Sequence, residues 1–278
     1  MKQREFNLLD FSEIKQQRMS TTSDRKISMV TCYDSTFAKL VSQSSVDCIL
    51  VGDSVAMTMY GQNDTLKATP GLIARHVQAV RAGAPKAFIV ADLPFLAHRG
   101  SVDETLKAVK LVMRAGANAV KIEGVDGSED VLHLLVESGV PVMGHLGLTP
   151  QSVNVFGGFR VQGRSESAAT RILDQAKRLE KCGVFAIVLE CVPTKLAADI
   201  TEAVKVPTIG IGAGAACDGQ VLVLQDLLGL NTDFQPKFAR QFAKLKDDVV
   251  DALNRYHQES QDGTFPSAAE SYTSQPKG

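Results

Sequence analysis

Short apolar runs alternate with longer segments of helical periodicity along the chain from about residue 27. The short runs are rich in Val, Ile and Ala and predict β-strands, whereas apolar residues three and four positions apart predict amphipathic helices. The predicted strands are 26–33, 48–52, 87–91, 119–123, 140–144, 186–190, 208–211 and 221–224. The predicted helices are 35–45, 70–82, 102–115, 128–138, 165–182, 194–203 and 236–258, with a further segment of helical spacing at 6–18.

The strand pattern predicts the fold class. Strands that form continuous apolar runs are buried on both faces, as in parallel sheets. Eight such strands separated by helices predict an α/β protein with a single (β/α)8 TIM barrel. A doubly wound open sheet is the alternative, but a Gly-rich phosphate-binding turn should then follow the first strand, where this chain has Cys32-Tyr33-Asp34-Ser35.

The predicted domain layout is a catalytic barrel over residues 1–258 and a polar C-terminal tail over residues 259–278. The barrel includes an N-terminal helix that would close its bottom. The tail contains Pro266 and Pro276 and few apolar residues, so we expect it to be loosely docked.

Charge and cysteine content argue against some classes of partner and indicate the redox state of the thiols. The chain has 30 Lys and Arg against 31 Asp and Glu, a net charge of −1, so it lacks the basic excess of nucleic-acid binders. We expect neither a nucleic acid nor a membrane as partner, since no apolar run is long enough to span a bilayer and no secretory signal is evident. Five widely spaced cysteines, an odd number, predict reduced thiols in a cytoplasmic protein.

Acidic side chains follow several of the predicted strands. Asp53, Asp92, Glu123 and Glu190 stand where strands two, three, four and six end. Active sites of α/β barrels lie at the carboxyl ends of the strands, so these acids should converge on one mouth and require a cation. An all-oxygen cluster suits Mg2+, with Asp53, Asp92 and Glu123 as ligands. The alternative is that these acids only cap helices or form ion pairs at the surface.

Two further residues are candidates at the same mouth. Lys121 is two positions from Glu123, so both side chains point to one face of the strand, and Lys121 would offer a positive charge to an anionic substrate. His145 follows the fifth strand and precedes a long Gly-rich loop that extends to Gly163, typical of a lid or binding loop. A structural role for His145 remains the alternative, and the turn at 210–214 is a weak candidate for phosphate binding.

Six motifs carry a resemblance to a known family. They are VGDS (51–54), ADLPF (91–95), AVKIEG (119–124), GHLGLTPQSVN (144–154), LECVP (189–193) and GIGAG (210–214). Their order and sequence resemble the ketopantoate hydroxymethyltransferase family of pantothenate biosynthesis over about residues 25–257. The resemblance implies a cytoplasmic (β/α)8 barrel that assembles as a homodecamer of two pentamers. The chain departs from the family pattern at Lys67 and Ala68.

The resemblance also implies roles for individual residues. It assigns magnesium binding to Asp53, Asp92 and Glu123, and proton acceptance to Glu190. Contacts with the 2-oxo acid fall on Asp53, Ser54, Asp92 and Lys121, with His145 near the substrate.

The implied reaction transfers a hydroxymethyl group from 5,10-methylenetetrahydrofolate to 3-methyl-2-oxobutanoate, through a Mg2+-stabilised enolate, and yields 2-dehydropantoate. Two other functions remain open. One is another magnesium-dependent, enolate-forming barrel enzyme of the phosphoenolpyruvate mutase or isocitrate lyase kind. The other is a non-catalytic barrel that binds a small anion.

Overall fold

The chain folds into a closed barrel of eight parallel strands in sequential order, in a computed structural model that describes residues 5–231 and 235–272. The strands are β1 (Ile27–Thr31), β2 (Cys48–Val51), β3 (Phe88–Asp92), β4 (Ala119–Glu123), β5 (Val142–Gly147), β6 (Ala186–Glu190), β7 (Thr208–Ile211) and β8 (Gly219–Leu222). The first and last strands pair in parallel, with Ile27 opposite Gly219, and this pairing closes the barrel. The predicted (β/α)8 fold class is confirmed.

Helices follow the strands as the sequence pattern predicts. The α-helices are α1 (Leu8–Met19), α2 (Ser35–Ser42), α3 (Val55–Thr58), α4 (Pro70–Gly83), α5 (Val102–Arg114), α6 (Glu129–Glu137), α7 (Val153–Phe156), α8 (Glu166–Lys181), α9 (Thr194–Ala203), α10 (Leu224–Leu227) and α11 (Leu245–Asp262). Short 3-10 turns lie at Pro150–Ser152 and Ala268–Glu270. Among the residues described, no helix is long and apolar enough to cross a membrane.

Alternate strand residues belong to two separate apolar layers. Because successive side chains in a strand point to opposite faces, every second residue enters the barrel interior. The interior layer includes Phe88 and Val90 of β3, Ala119 of β4 and Met143 of β5. The intervening residues pack outward against the helices, as Ile89 does. This alternation determines which polar residue at each strand end points inward.

Helix α1 closes the amino-terminal end of the barrel, as the sequence predicted. Asn7 and Asp10 form a capping box at its first turn, which satisfies backbone N–H groups that have no partner within the helix. Phe11 packs against Phe88 and Phe185, with ring centroids 5.4 and 4.9 Å away. These two rings stand where β3 and β6 begin, so α1 lies at the end of the barrel opposite the strand ends that carry the acids.

A buried ion pair fastens α1 to the strands. Lys15 Nζ lies 3.0 Å from Asp218 Oδ2 and donates to the Thr201 carbonyl, and Arg18 donates to the other Asp218 oxygen. Asp218 also accepts from the Thr208 backbone N–H at 2.9 Å. Both Lys15 and Asp218 are only 2% exposed, so each charge depends on the other for its stability inside the fold.

Helices α2 and α4 approach closely at Gly83. A Cβ atom there would lie 2.8 Å from the Ala38 Cβ and would overlap the Ser35 carbonyl oxygen. Gly71, in the first turn of α4, has only the Thr69 hydroxyl nearby, at 3.9 Å. Glycine is therefore required at the helix contact and dispensable at the start of the same helix.

Several predicted boundaries are wrong, and tertiary pairing explains the strand differences. We predicted strand eight at 221–224, but β8 begins at Gly219 because Gly219 and Gln220 pair with β1. We predicted strand five at 140–144, but β5 continues to Gly147, which is paired with Glu190 of β6. The predicted long loop after His145 contains the 3-10 turn and α7.

The last helix also differs from its prediction. It begins at Leu245 rather than residue 236, since the preceding residues form turns, including a hydrogen bond from the Ala239 N–H to the Pro236 carbonyl. It continues to Asp262 and ends at Gly263, whose φ of 68° is the left-handed cap that glycine favours.

The chain divides into two compact units, Met1–Leu224 and Gln225–Gly278. The first contains the barrel and the second contains α11. The predicted division at residues 258 and 259 stays a prediction. Part of the predicted tail, residues 273–278, lies outside the described residues, as do residues 1–4 and 232–234.

Candidate active site

Strand alternation places five of the predicted site residues inside the carboxyl end of the barrel. Asp92 continues the inward row of Phe88 and Val90, and Lys121 and Glu123 continue that of Ala119. His145 stands two positions after the inward-pointing Met143 of β5, and Glu190 stands two positions after the inward-pointing Val188 of β6, so both also point into the barrel. The prediction that Lys121 and Glu123 share one face is confirmed, because both lie in the same buried cluster, with Nζ and Oε1 3.9 Å apart.

Lys121 occupies the centre of the cluster. Its Nζ lies 3.0 Å from Asp92 Oδ1 and 3.1 Å from His145 Nδ1. Burial alone would lower the pKa of this ammonium, but the neighbouring carboxylates, Asp92 first and then Glu123, raise it above its usual value. Lys121 is therefore a permanently charged group only 4% exposed to solvent.

The acids of the cluster carry more negative charge than Lys121 neutralises. Burial, followed by repulsion from Asp92 and Glu123, raises the pKa of Asp53 well above its usual value. Burial likewise raises the pKa of Glu123 to about 7, although Lys121 opposes the change. Three buried carboxyl groups around a single ammonium favour either protonation or the arrival of a second cation.

Two oxygen atoms in this cluster lack a hydrogen-bond donor. They are Asp92 Oδ1 and Glu123 Oε1, both buried. Asp92 Oδ1 is within ion-pair distance of Lys121 but is not aligned with it as a hydrogen bond. Glu123 Oε1 lies 3.3 Å from His145 Nδ1, which already accepts a hydrogen bond from Lys121. These oxygens are free to accept a cation.

The donor set fits a hard divalent cation. It consists of buried carboxylate oxygens, which Mg2+ prefers, and Mg2+ in proteins often takes only one or two carboxylates and completes its shell with water and substrate. Within residues 5–231 and 235–272, no group of three or more His, Cys, Asp and Glu side chains is already spaced to hold one ion. Ligation by all three predicted acids therefore stays a prediction.

Gln151 connects two of the acids and was missed by the sequence reasoning. Its side-chain nitrogen donates to Asp53 Oδ2 at 2.8 Å and to the Leu93 carbonyl at 3.0 Å. Its backbone N–H donates to Glu123 Oε2 at 3.0 Å. The only sequence signal for this role was its position inside the GHLGLTPQSVN motif.

Ser54 stands at the edge of the cluster beside a second missed residue, Tyr33. The Ser54 hydroxyl does not cap α3 but lies 2.8 Å from the Tyr33 hydroxyl. Burial raises the pKa of Tyr33 to about 12, so its hydroxyl stays protonated. The Tyr33 carbonyl accepts a 2.6 Å hydrogen bond from His76 Nδ1, and the Tyr60 hydroxyl lies 3.2 Å from the other His76 nitrogen. These contacts hold Ser54 in a fixed orientation.

His145 links the buried cluster to Glu190. Burial, and then the adjacent Lys121, lowers the pKa of His145, so the ring is neutral at pH 7. Because Lys121 donates to Nδ1, the proton of the neutral ring resides on Nε2, which lies 3.3 Å from Glu190 Oε2. The Glu190 side chain is 16% exposed, more than the other acids of the cluster, and is therefore accessible to a substrate.

The backbone is strained directly after Glu190. Cys191 has a φ of 48°, in the left-handed region that non-glycine residues seldom adopt, and such strain is often found at functional sites. The Cys191 N–H donates to the Ile211 carbonyl, and the Glu190 carbonyl accepts from the Leu148 N–H. Burial, followed by the charge of Glu190, raises the pKa of the Cys191 thiol to about 12, so this thiol is not a nucleophile.

A separate depression of about 600 Å³ lies outside the barrel beside α8. Its lining includes Asp126, which accepts from Arg171 and Arg178, while Arg178 also pairs with Glu129. These charges satisfy one another on an open surface. The depression therefore lacks the unpaired buried groups that mark the cluster inside the barrel.

Comparisons with known proteins identify a matching family. A sequence model described as "Ketopantoate hydroxymethyltransferase" matches residues 12–268. A 3-methyl-2-oxobutanoate hydroxymethyltransferase from Bdellovibrio bacteriovorus is 53% identical over 266 residues, which cover 96% of this chain and 99% of the relative. The same enzyme from Coxiella burnetii is 51% identical over 261 residues, covering 94% and 96%.

Solved structures share the fold at low sequence identity. A 2,3-dimethylmalate lyase, described as a PEP mutase/isocitrate lyase superfamily member, matches with a TM-score of 0.57 and 14% identity over 96% of this chain and 92% of that chain. A phosphoenolpyruvate phosphomutase from Streptomyces platensis gives a TM-score of 0.57 and 13% identity over 90% and 88%. At these identities the likeness supports the barrel fold and says nothing about the reaction.

Proposed function

The chain belongs to the ketopantoate hydroxymethyltransferase family, and from this premise we propose that it transfers the one-carbon group of 5,10-methylenetetrahydrofolate to 3-methyl-2-oxobutanoate with the help of Mg2+. Family membership itself supports an enzyme that hydroxymethylates 3-methyl-2-oxobutanoate. The folate donor, the metal and the roles of individual residues are parts of the proposal.

One observation carries the proposal: a network of buried polar groups lies inside the carboxyl end of the barrel and leads to a more exposed acid. We call this network the polar ring; its members are Asp53, Asp92, Lys121, Glu123, His145 and Gln151. Five of the six contacts around the ring are hydrogen bonds or an ion pair of 2.8 to 3.1 Å, and the sixth is the 3.3 Å approach of His145 Nδ1 to Glu123 Oε1. Buried, strongly perturbed ionisable groups of this kind are typical of active sites.

The acids of the polar ring would hold the cation. We assign this role to Asp53, Asp92 and Glu123, directly or through water, because two of their oxygens lack hydrogen-bond donors and the three carboxyl groups share the single ammonium of Lys121. When bound, Mg2+ would withdraw electron density from the keto group of the substrate and so acidify its C3–H bond.

Lys121 and Ser54 would bind the carboxylate end of the 2-oxo acid. Lys121 supplies a buried positive charge that water does not screen, and Ser54 supplies a hydroxyl whose orientation is held by Tyr33. Asp53 and Asp92 would also face the 2-oxo acid, since they lie in the same buried cluster as Lys121.

Glu190 would be the proton acceptor. Its carboxylate takes the C3 proton of the 2-oxo acid, and the electron pair of that C–H bond forms the new C–C bond to the methylene carbon of the folate. Both C–N bonds that join the methylene carbon to the folate nitrogens break, and water supplies the hydroxyl group. The second proton of that water and the proton taken up by Glu190 go to the two folate nitrogens, which gives 2-dehydropantoate and tetrahydrofolate. His145 Nε2 lies 3.3 Å from Glu190 Oε2 and would help to hold the carboxylate in position.

The test separates proton abstraction from one-carbon transfer. NMR follows exchange of the C3 proton of 3-methyl-2-oxobutanoate in D2O with protein and Mg2+, without folate. We expect exchange in the native protein, loss with EDTA, and a fall of at least about 100-fold in Glu190→Gln, the scale of a lost general base. Glu202→Gln, an exposed acid on α9, is the matched control and should exchange normally.

The results distinguish the proposed transferase from a lyase and from a non-catalytic barrel. Exchange in Glu190→Gln at the native rate would remove Glu190 as the base. Bond cleavage of a 2-hydroxy acid without folate would favour a lyase of the kind seen among the structural neighbours. Binding of the 2-oxo acid with neither exchange nor product formation, even with folate present, would indicate a non-catalytic anion-binding barrel.

Assembly and location are part of the same proposal. Helix α11 has no buried residue and exposes Val249, Leu253 and Tyr256, which suits association between copies of the chain. We propose a decamer, the assembly that the family resemblance implies. Light scattering coupled to gel filtration should then give ten chains per particle; a monomer would refute this. The five cysteines are all free, as a reducing cytoplasm maintains.

A further inference from the structure

We propose that Gln151 is a positioning residue that fixes the separation and orientation of Asp53 and Glu123 and thereby prepares these carboxylates for the divalent cation. The inference rests on the proposed metal-dependent function and assigns a role to a residue that no motif rule identified. It concerns the short segment after β5, which the sequence pattern presented as a loop.

The orientation of the Gln151 amide is determined by its neighbours. Its nitrogen has two hydrogens, and both are used, one by Asp53 Oδ2 at 2.8 Å and one by the Leu93 carbonyl at 3.0 Å. A flipped amide would direct its oxygen at two acceptors, so only one orientation is stable. Since Leu93 directly follows β3, the amide is anchored to the barrel and Asp53 is anchored to the amide.

The backbone of the same residue holds the second acid. Its N–H donates to Glu123 Oε2 at 3.0 Å, which leaves the other Glu123 oxygen without a donor. Asp53 is similarly restrained on one oxygen, while its own N–H donates to Asp92 Oδ2. One residue thus restrains one oxygen of each of two acids, Asp53 just after β2 and Glu123 at the end of β4.

Both bonds are shielded from water. Gln151 is 7% exposed, and its partners Asp53 and Glu123 are 4% and 5% exposed. A lost donor at such a site is not replaced by bulk water, so the acid would turn toward Lys121 or take up a proton. Groups that orient metal ligands in this way typically change metal affinity by about 10- to 100-fold when removed.

The test measures metal binding without catalysis. Mn2+, used as a paramagnetic probe, is titrated into the native protein, Gln151→Met and Gln162→Met, and free Mn2+ is counted by EPR. Methionine keeps the length of the side chain and removes its donors. Gln162 is the matched control, because its amide donates only to the Arg160 carbonyl at the surface.

We expect the Mn2+ dissociation constant to rise by about 10- to 100-fold in Gln151→Met and to stay unchanged in Gln162→Met. In an Asp53→Asn background, Gln151→Met should have a much smaller further effect, since the contact it removes has already lost its charged partner. Unfolding curves in EDTA identify the variants that fold. If Gln151→Met does not fold, Gln151→Asn, which keeps an amide but retracts it by one methylene, should show the same direction of change.

An unchanged Mn2+ affinity in a folded Gln151→Met protein would overturn the assignment. Equal losses in the native and Asp53→Asn backgrounds would also overturn it, because the effect would then not pass through Asp53. If the native protein itself binds no Mn2+, with or without 3-methyl-2-oxobutanoate, the proposed metal-dependent function fails, and that failure is distinct from the failure of Gln151 alone.

Discussion

Removal of the charge at Glu123 should stabilise the metal-free protein at alkaline pH. Burial raises the pKa of Glu123 from 4.5 to about 7 in the folded chain, so the fold disfavours its charged form. Each pKa unit is worth ~1.4 kcal/mol, which makes the penalty about 3 kcal/mol once the side chain is ionised. The substitution Glu123→Gln keeps the shape of the side chain and eliminates this penalty.

The direction of the pH dependence follows from the raised pKa. Below pH 4.5 the side chain is protonated in both the folded and unfolded chains, and the native protein and the variant should be similarly stable. Between pH 4.5 and about 7 the unfolded chain has lost this proton while the folded chain still holds it, so the native protein loses stability relative to the variant over this range, and the loss is complete above about pH 7. The variant should therefore exceed the native protein by up to about 3 kcal/mol of unfolding free energy at pH 8.

Urea unfolding in EDTA at pH 5 and pH 8 measures this difference directly. Glu202→Gln, on the exposed side of α9, is the control and should match the native protein at both pH values. Added Mg2+ at pH 8 should stabilise the native protein more than Glu123→Gln, because the cation relieves the same excess of negative charge. A variant that is less stable than the native protein at pH 8, or equally shifted at both pH values, would refute the reasoning.

Three further predictions test parts of the fold and the edge of the site. Asp218→Ala leaves the Lys15 ammonium buried without its partner and should lower the unfolding free energy by about 3–5 kcal/mol in urea titrations. Tyr33→Phe removes one hydrogen bond, so it should cost about 1 kcal/mol of stability while raising the KM for the 2-oxo acid more than it lowers kcat. Gly83→Ala should lower the melting temperature because its Cβ overlaps α2, whereas Gly71→Ala should leave it unchanged or slightly higher.

Each of these has a control or an opposing outcome. Lys195→Ala breaks an exposed pair with Asp199 and should change the unfolding free energy by less than about 1 kcal/mol; an equal effect of Asp218→Ala would show that the buried pair is unimportant. A kcat loss with unchanged KM in Tyr33→Phe would contradict its assigned role in orienting Ser54. Equal melting temperatures for Gly83→Ala and the native protein would contradict the close helix contact.

The sequence alone was sufficient for the fold class and for most of the acids. Hydrophobic periodicity is local, because a parallel strand buried on both faces is apolar throughout and an amphipathic helix is apolar at every third and fourth position. Position at a strand end was enough to single out Asp92, Glu123 and Glu190. Strand alternation then placed Lys121 on the same face as Glu123, as the structure confirms.

Tertiary structure decided what no local pattern encodes. The Gln151 side chain meets Asp53 across 98 positions of sequence, and Lys15 meets Asp218 across 203. A hydrogen bond between such distant residues depends on barrel closure, and a polar residue in a short helical turn has no periodic signature of its own. The same holds for β8, whose Gly219 and Gln220 are not apolar and become strand residues because they pair with β1. Composition and periodicity thus specified the barrel and its acidic mouth, whereas long-range pairing determined how the acids are held and which of their oxygens remain free.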